Sequence, residues 1–416
     1  MITKFLKNNS IMLIYAVTLL SMFMFVKTVN PIVNYIRYAY VFFMGIFVVA
    51  KHKELLFNKF MLLILGCFIA HTVIFGFMLA PDSLSDIIED NTIDLILFWG
   101  FVIFTAQYVW KNRLDKQFLI FSQIATTLFV NYCYITNFNG IAPVKFLPTL
   151  FGAGINRIRF TFGLSATNRA AYIALAAFIL SLMVWRECFN NKKLFSKEWT
   201  FFEVYVFFSG VVSVLVMVST QTRGALLSAA IFFVLTSILD KECLFKLNFK
   251  NIDWKIYFIF AAVLLLFYAY FVFFNADSRS ENLAINLDLF LASANQATGF
   301  GYTPFSTFLT QGFGLATRPI DCYYLYILCA TGFTGLALIL ISMIIMLTRA
   351  IRIYCFEATS TLKNSYIVLY IVMIFIAFSE SSFVAPYSPY SYIYWVMFLL
   401  LFLGQYNDSG NITEKG

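Results

Sequence analysis

Four groups of residues in this chain have types and spacings that could do chemistry. The first is Arg157-Ile158-Arg159, followed by Gly163 and then Asn168-Arg169 where an apolar run begins. Arginine forks together with the free amides of a helix start can hold a phosphate; a helix cap with an interfacial anchor is the simpler reading. The second is Ser219-Thr220-Gln221-Thr222-Arg223-Gly224, a polar knot between two apolar runs with almost no length for a loop. Such residues at membrane depth must line a cavity or bury against protein. The third joins Arg279, Gly299, Gly301 and Arg318-Pro319-Ile320-Asp321. A carboxylate beside an arginine stays ionised and could serve as a general base; a salt bridge or a helix cap is nearly as good an account of Asp321. The fourth is Ser379-Glu380-Ser381-Ser382, where Glu380 interrupts an apolar stretch and could orient an arginine or a substrate hydroxyl.

The chemistry these groups suit is binding of an anionic, phosphate-bearing group beside a carboxylate that could act as a base. Nucleotide-phosphate loops, metal-ligand spacings and the Gly-x-Ser-x-Gly elbow are absent from the sequence, so no metal and no cofactor is expected. The seven cysteines include no Cys-x-x-Cys pair, and His52 and His71 are isolated, which leaves no disulfide, metal or histidine chemistry to propose.

The elements that must position these residues are membrane helices. Of 416 residues, 61% are apolar and 12% charged, against about 25% charged in a soluble domain, which excludes a water-soluble protein. An outer-membrane barrel is excluded as well, because its strands alternate while Ile256 to Phe274 is unbroken apolar sequence. Apolar runs read as twelve spans near 10–26, 33–50, 60–80, 93–110, 117–136, 169–185, 200–218, 224–239, 254–274, 322–347, 364–384 and 388–404. The expected fold is an all-α integral membrane protein of about 12 transmembrane helices, one polytopic domain over residues 1–416, with no soluble domain at either end and the first span retained as a helix. Loops 137–168 and 275–321 are long, and long loops in compact folds usually carry function. Within the second, Ala284 to Ala297 has helical apolar spacing suited to the membrane surface; Gly299-Phe300-Gly301 and Gly312-Phe313-Gly314 then break it into a lid-like hairpin of short helices.

Orientation follows from the basic residues. With both termini cytoplasmic, 20 of the 29 lysines and arginines fall inside, as the positive-inside rule requires. The two types divide differently. Of 18 lysines only Lys27 and Lys145 fall outside, whereas 7 of 11 arginines do: Arg37, Arg157, Arg159, Arg169, Arg223, Arg279 and Arg318. External arginines against the insertion preference, taken together, point to an anionic substrate group; anchoring of a helix end or pairing with Asp277, Glu281 or Asp321 accounts equally well for any single one. Tyrosines at 302, 323, 324, 326, 387, 390, 392 and 394 crowd the outer ends of the last spans; an interfacial belt is the ordinary reading, and sugar stacking would use the same rings.

This arrangement resembles the Wzy-type polysaccharide polymerase and O-antigen ligase superfamily. The matching pieces are Arg159 with Gly163 and Asn168, the Thr-Gln-Thr-Arg-Gly run at 220–224, and Arg279 followed by Gly299-Phe300-Gly301. They continue with Asp321 ahead of Tyr324-Leu325, Gly332 and Gly335, and with Glu380 after a serine. The resemblance implies metal-independent glycosyl transfer, on the outer side of the bacterial cytoplasmic membrane, from an undecaprenyl-pyrophosphate-linked oligosaccharide that serves as donor and acceptor. Asp321, Glu380, Arg223 and Arg279 would then be catalytic, and Arg157, Arg159, Asn168, Arg169, Arg318 and Tyr324 would bind substrate. Membrane lipid, a chain-length regulator and a flippase are the implied partners, and no nucleic acid is. Ligases of the superfamily carry histidine where this chain has Asp321, which favours polymerase over ligase; a saccharide flippase or other transporter is the alternative from another class.

Overall fold

The computed structural model describes residues 10–28, 31–52, 66–67, 93–137, 159–189, 200–239, 279–294, 296–299, 322–356, 360–380, 383–385 and 388–403. Every regular element among them is a helix. In chain order they are α1 (Ser10–Lys27), α2 (Pro31–His52), α3 (Ile93–Lys111), α4 (Asp115–Thr136), α5 (Thr167–Phe189), α6 (Phe201–Thr220), α7 (Arg223–Leu239), α8 (Arg279–Ala292), α9 (Tyr323–Phe356), α10 (Thr361–Ser379) and α11 (Pro389–Leu403). Ten of the twelve expected spans fall on these helices; those at 60–80 and 254–274 lie outside the described residues, apart from Gly66 and Cys67. Among the described residues six helices are long and apolar enough to cross a membrane: α1, α4, α5, α6, α9 and α10. Among the described residues the protein is all-helical, with helices of membrane-spanning character.

Local chemistry sets the helix ends. At the start of α6, Thr200 accepts from the Glu203 amide while the Glu203 carboxylate accepts from the Thr200 amide, a capping box that satisfies orphan donors from both sides. Ser360 caps α10 from one side only, accepting from the Lys363 amide. Between α3 and α4 the chain reverses in three residues with Arg113 in the left-handed region (φ 53°), so these two helices run antiparallel.

Packing forms a circuit: α1 against α2 and α4, α4 against α5, α5 against α6 and α7, α7 against α10, α10 against α9 and α11, α11 against α3, and α3 back against α2. Alanines 170, 171, 174, 176 and 177 let neighbours approach α5 closely, and the whole of α11 is buried. By contrast α6 shows Phe208 and Val211 to its surroundings, as a helix on the lipid boundary does. A polar seam crosses the interior. Gln123, Thr127 and Asn131, at successive i, i+4 positions of α4, meet Ser181 of α5 (3.3 Å) and Tyr205 (2.6 Å) and Ser209 (3.2 Å) of α6, while Ser122 meets Tyr15 of α1 at 2.8 Å. Without a hydrophobic driving force between helices in lipid, such bonds fix which helices pair.

The antiparallel helices give the bundle two chemically distinct ends. At one, Lys116 pairs with Glu187 at 2.8 Å and Arg186 donates to the Thr236 carbonyl at 2.8 Å. At the other lie Lys27, Arg37, Asp94, Asn168, Arg223 and Glu380.

Candidate functional site

The polar knot at 219–224 is where α6 turns into α7. Gln221 takes the left-handed conformation (φ 52°, ψ 33°) that ends α6, and its amide donates to the Val218 carbonyl at 3.1 Å. Arg223 follows as the first residue of α7 and is half-buried. The knot is nearly enclosed: Thr220 is buried completely, Gln221 is 7% exposed and Thr222 8%. Its hydroxyls are engaged, with Ser219 donating to the Leu215 carbonyl at 2.8 Å, Thr220 to that of Met217 at 2.7 Å, and Thr222 to Asn168 Oδ1 at 3.5 Å. The side-chain carbonyl of Gln221 is buried and accepts no hydrogen bond. An enclosed acceptor left this way costs about 1–3 kcal/mol, and a non-glycine residue in the left-handed region adds about 1–2 kcal/mol.

The segment before α5 is held against this junction. Phe160 donates its amide to the Ser219 carbonyl at 3.3 Å, and Phe162 and Gly163, both at positive φ, turn the chain toward Asn168. The φ of 74° at Gly163 favours glycine, and a Cβ there would stand 2.9 Å from Asn137 Oδ1 at the end of α4, so the Asn137 side chain would have to shift. The structure therefore brings Asn168, Thr222 and Arg223 together where α4, α5, α6 and α7 end or begin. Arg159 and Arg169 lie exposed beside them, and Arg169 donates to Ser165 at 3.1 Å across the first turn of α5.

Glu380 terminates α10 at the same end, its amide donating to the Ile376 carbonyl at 2.9 Å, and α10 packs directly on α7. Tyr324 is turned to packing: its ring meets Phe378 of α10 and its hydroxyl donates to the Ile374 carbonyl at 3.1 Å. Arg279 is the first residue of α8. Arg157, Arg318 and Asp321 lie outside the described residues.

The amphipathic helix expected from Ala284 to Ala297 is α8, Arg279–Ala292, followed by turns at 293–294 and 296–298. Leu283 and Phe290 pack with Cys322, Leu328 and Cys329 of the α9 start, and Phe290 meets Phe333 at 5.7 Å between ring centroids. Beyond it a pair of glycines joins loop to helix. Gly332 breaks α9 with φ 67°, and Gly299 has φ 74°. A Cβ on Gly299 would overlap the backbone of Ala330 and Thr331; one on Gly332 would overlap that of Ala297 and Thr298. At the break the amide of Phe333 donates to the Gln296 carbonyl at 2.9 Å, and the amide and hydroxyl of Thr334 donate to that of Ala297 at 3.2 and 2.7 Å. Backbone groups freed inside a spanning helix must find such partners.

Arg37 departs from the external arginine set. It is 4% exposed, forms an ion pair with Asp94 of α3 and donates to the Tyr392 hydroxyl of α11 at 3.2 Å. Its charge is neutralised within the protein, which makes it a tie between α2, α3 and α11. The pairing was hidden because Asp94 stands 57 residues away in sequence.

Gln221 and Asn137 are the residues of this region that residue type alone did not single out. Gln221 was visible only as a member of the knot, and the tight Phe162-Gly163 turn was the sole signal for a neighbour such as Asn137. Compared with family models and with curated proteins, the chain matches none.

Proposed function

We propose that the protein is a Wzy-type polysaccharide polymerase that joins undecaprenyl-pyrophosphate-linked oligosaccharide repeats on the outer side of a bacterial cytoplasmic membrane. The observation that carries this reading is the junction itself: Arg223 beside Thr222 and Asn168, with Glu380 ending the helix packed against α7. The lysine-bearing end of the bundle then faces the cytoplasm, in keeping with the positive-inside rule.

A sugar on pyrophosphate already carries its leaving group. What remains is to hold the departing negative charge and to align and deprotonate an acceptor hydroxyl. Arg223 and Arg279, helped by Arg157, Arg159 or Arg318, hold the donor pyrophosphate, while Asn168 and Arg169 at the start of α5 bind alongside it. The acceptor oxygen bonds to the anomeric carbon as that carbon's bond to the pyrophosphate oxygen breaks. The proton passes to Asp321 or Glu380, and undecaprenyl pyrophosphate leaves with the bonding electrons.

Purified protein in lipid nanodiscs, given the lipid-linked repeat, is expected to form longer saccharides and release undecaprenyl pyrophosphate. Product appearing on lipid A core instead would make it an O-antigen ligase. Movement of the lipid across the bilayer with no new bond would make it a flippase, and the broken α9 favours that second reading, since discontinuous helices line transport sites. Against it, the break is capped by the loop carbonyls of Gln296 and Ala297.

A further inference from the structure

Within the polar knot the side-chain carbonyl of Gln221 differs from the hydroxyls around it. The hydroxyls of Ser219, Thr220 and Thr222 all donate to neighbours, while the Gln221 side-chain carbonyl, in a residue 7% exposed, receives nothing. The same residue sits in the left-handed backbone region, an arrangement that concentrates at functional sites when its surroundings enforce it. A carbonyl oxygen is an acceptor only, so what satisfies it must bring an O–H or N–H. The oxygens of an ionised pyrophosphate are acceptors too and would be repelled. Sugar hydroxyls and acetamido N–H groups supply the donor that is missing.

We propose that Gln221 is a saccharide-recognition residue, its side-chain carbonyl accepting a hydrogen bond from a hydroxyl or acetamido N–H of the sugar next to the pyrophosphate. The assignment rests on the reading that Arg223, two residues along, holds that pyrophosphate. It divides the knot by chemistry: Arg223 reads the anion common to every such donor, and Gln221 reads the sugar. A site built to hydrogen-bond a substrate group discriminates strongly against analogues lacking it, because its own buried partner is then left unmet.

The test measures binding to the full-length protein in nanodiscs of two probes, undecaprenyl pyrophosphate and the same lipid carrying the oligosaccharide repeat. Wild type is expected to bind the saccharide-bearing lipid more tightly. Gln221→Met, close in length and unable to accept, is expected to lose about tenfold in affinity for that lipid and to leave undecaprenyl pyrophosphate binding unchanged. The melting temperature should hold or rise, since the substitution removes an unmet buried acceptor; this separates lost recognition from lost folding. Three results overturn the assignment: a Gln221→Met protein that binds the saccharide lipid as wild type does, an equal loss for both probes, or a wild type that does not distinguish them. Failure of the polymerase reading looks different. If no polymer forms, or Arg223→Lys binds undecaprenyl pyrophosphate as wild type does, the reaction or its arginine clamp falls, while a Gln221-dependent preference for the saccharide lipid would stand.

Discussion

Arg37 and Arg223 lie at the same end of the bundle in opposite settings. Arg37 is enclosed by three helices, with a carboxylate from α3 and a tyrosine hydroxyl from α11 converging on its guanidinium. Arg223 opens α7 at a tight junction, half-buried and next in sequence to Thr222, which meets Asn168 of α5. The first is a tie among three helices; the second belongs to a polar turn between two helices. Two arginines of one expected set thus sit in different geometries.

Breaking the closed setting should have the largest effect. Asp94→Leu leaves an uncompensated guanidinium among buried side chains and should destabilise the protein by about 3–5 kcal/mol, read as a lowered melting temperature in detergent. Adding Arg37→Met should recover most of that loss, because a buried pair exchanged for apolar side chains is often neutral. A double variant as unstable as the single one would show that the ion pair does more than join helices.

At Arg223, if the polymerase reading holds, the expectation is reversed, with stability kept and activity lost. Arg223→Lys retains charge but not the planar fork and should lower polymer formation by about 10²–10³ at normal protein level, the range for removal of one preorganised donor. Polymerisation at the wild-type rate would take Arg223 out of the chemistry.

A third region sharpens the contrast, since close backbone contact at two glycines orders it. Gly332→Ala drives a Cβ into the Ala297 and Thr298 backbone and should cost about 1–3 kcal/mol, with increased protease cleavage near 296–299 as the direct readout. The smallest effect is expected in the polar seam. Thr127→Val removes one hydrogen bond between α4 and α6 and should lower stability by about 0.6 kcal/mol with polymer formation unchanged, marking the seam as scaffold.

The spanning helices were readable from the sequence because lipid demands long apolar runs whose backbone bonds close within the segment. The knot at 219–224 was readable for the complementary reason, that six polar residues between two such runs must meet protein or water. Relationships between distant residues were not. No local pattern joins Arg37 to Asp94 or sets Asn137 under Gly163, since both depend on which helices become neighbours. Nor does any local rule force glutamine into the left-handed region; Gln221 is placed there by the return of α7 along α5 and α10.

The glycine pair also bears on how the protein is made. The amides of Phe333 and Thr334 find their acceptors only in the turn at 296–297, which emerges from the ribosome before α9 does. Without that turn, the amides of Phe333 and Thr334 would have to return to carbonyls of α9 itself, which requires Gly332 to become helical. The break in α9 and the docking of the preceding turn are thus coupled.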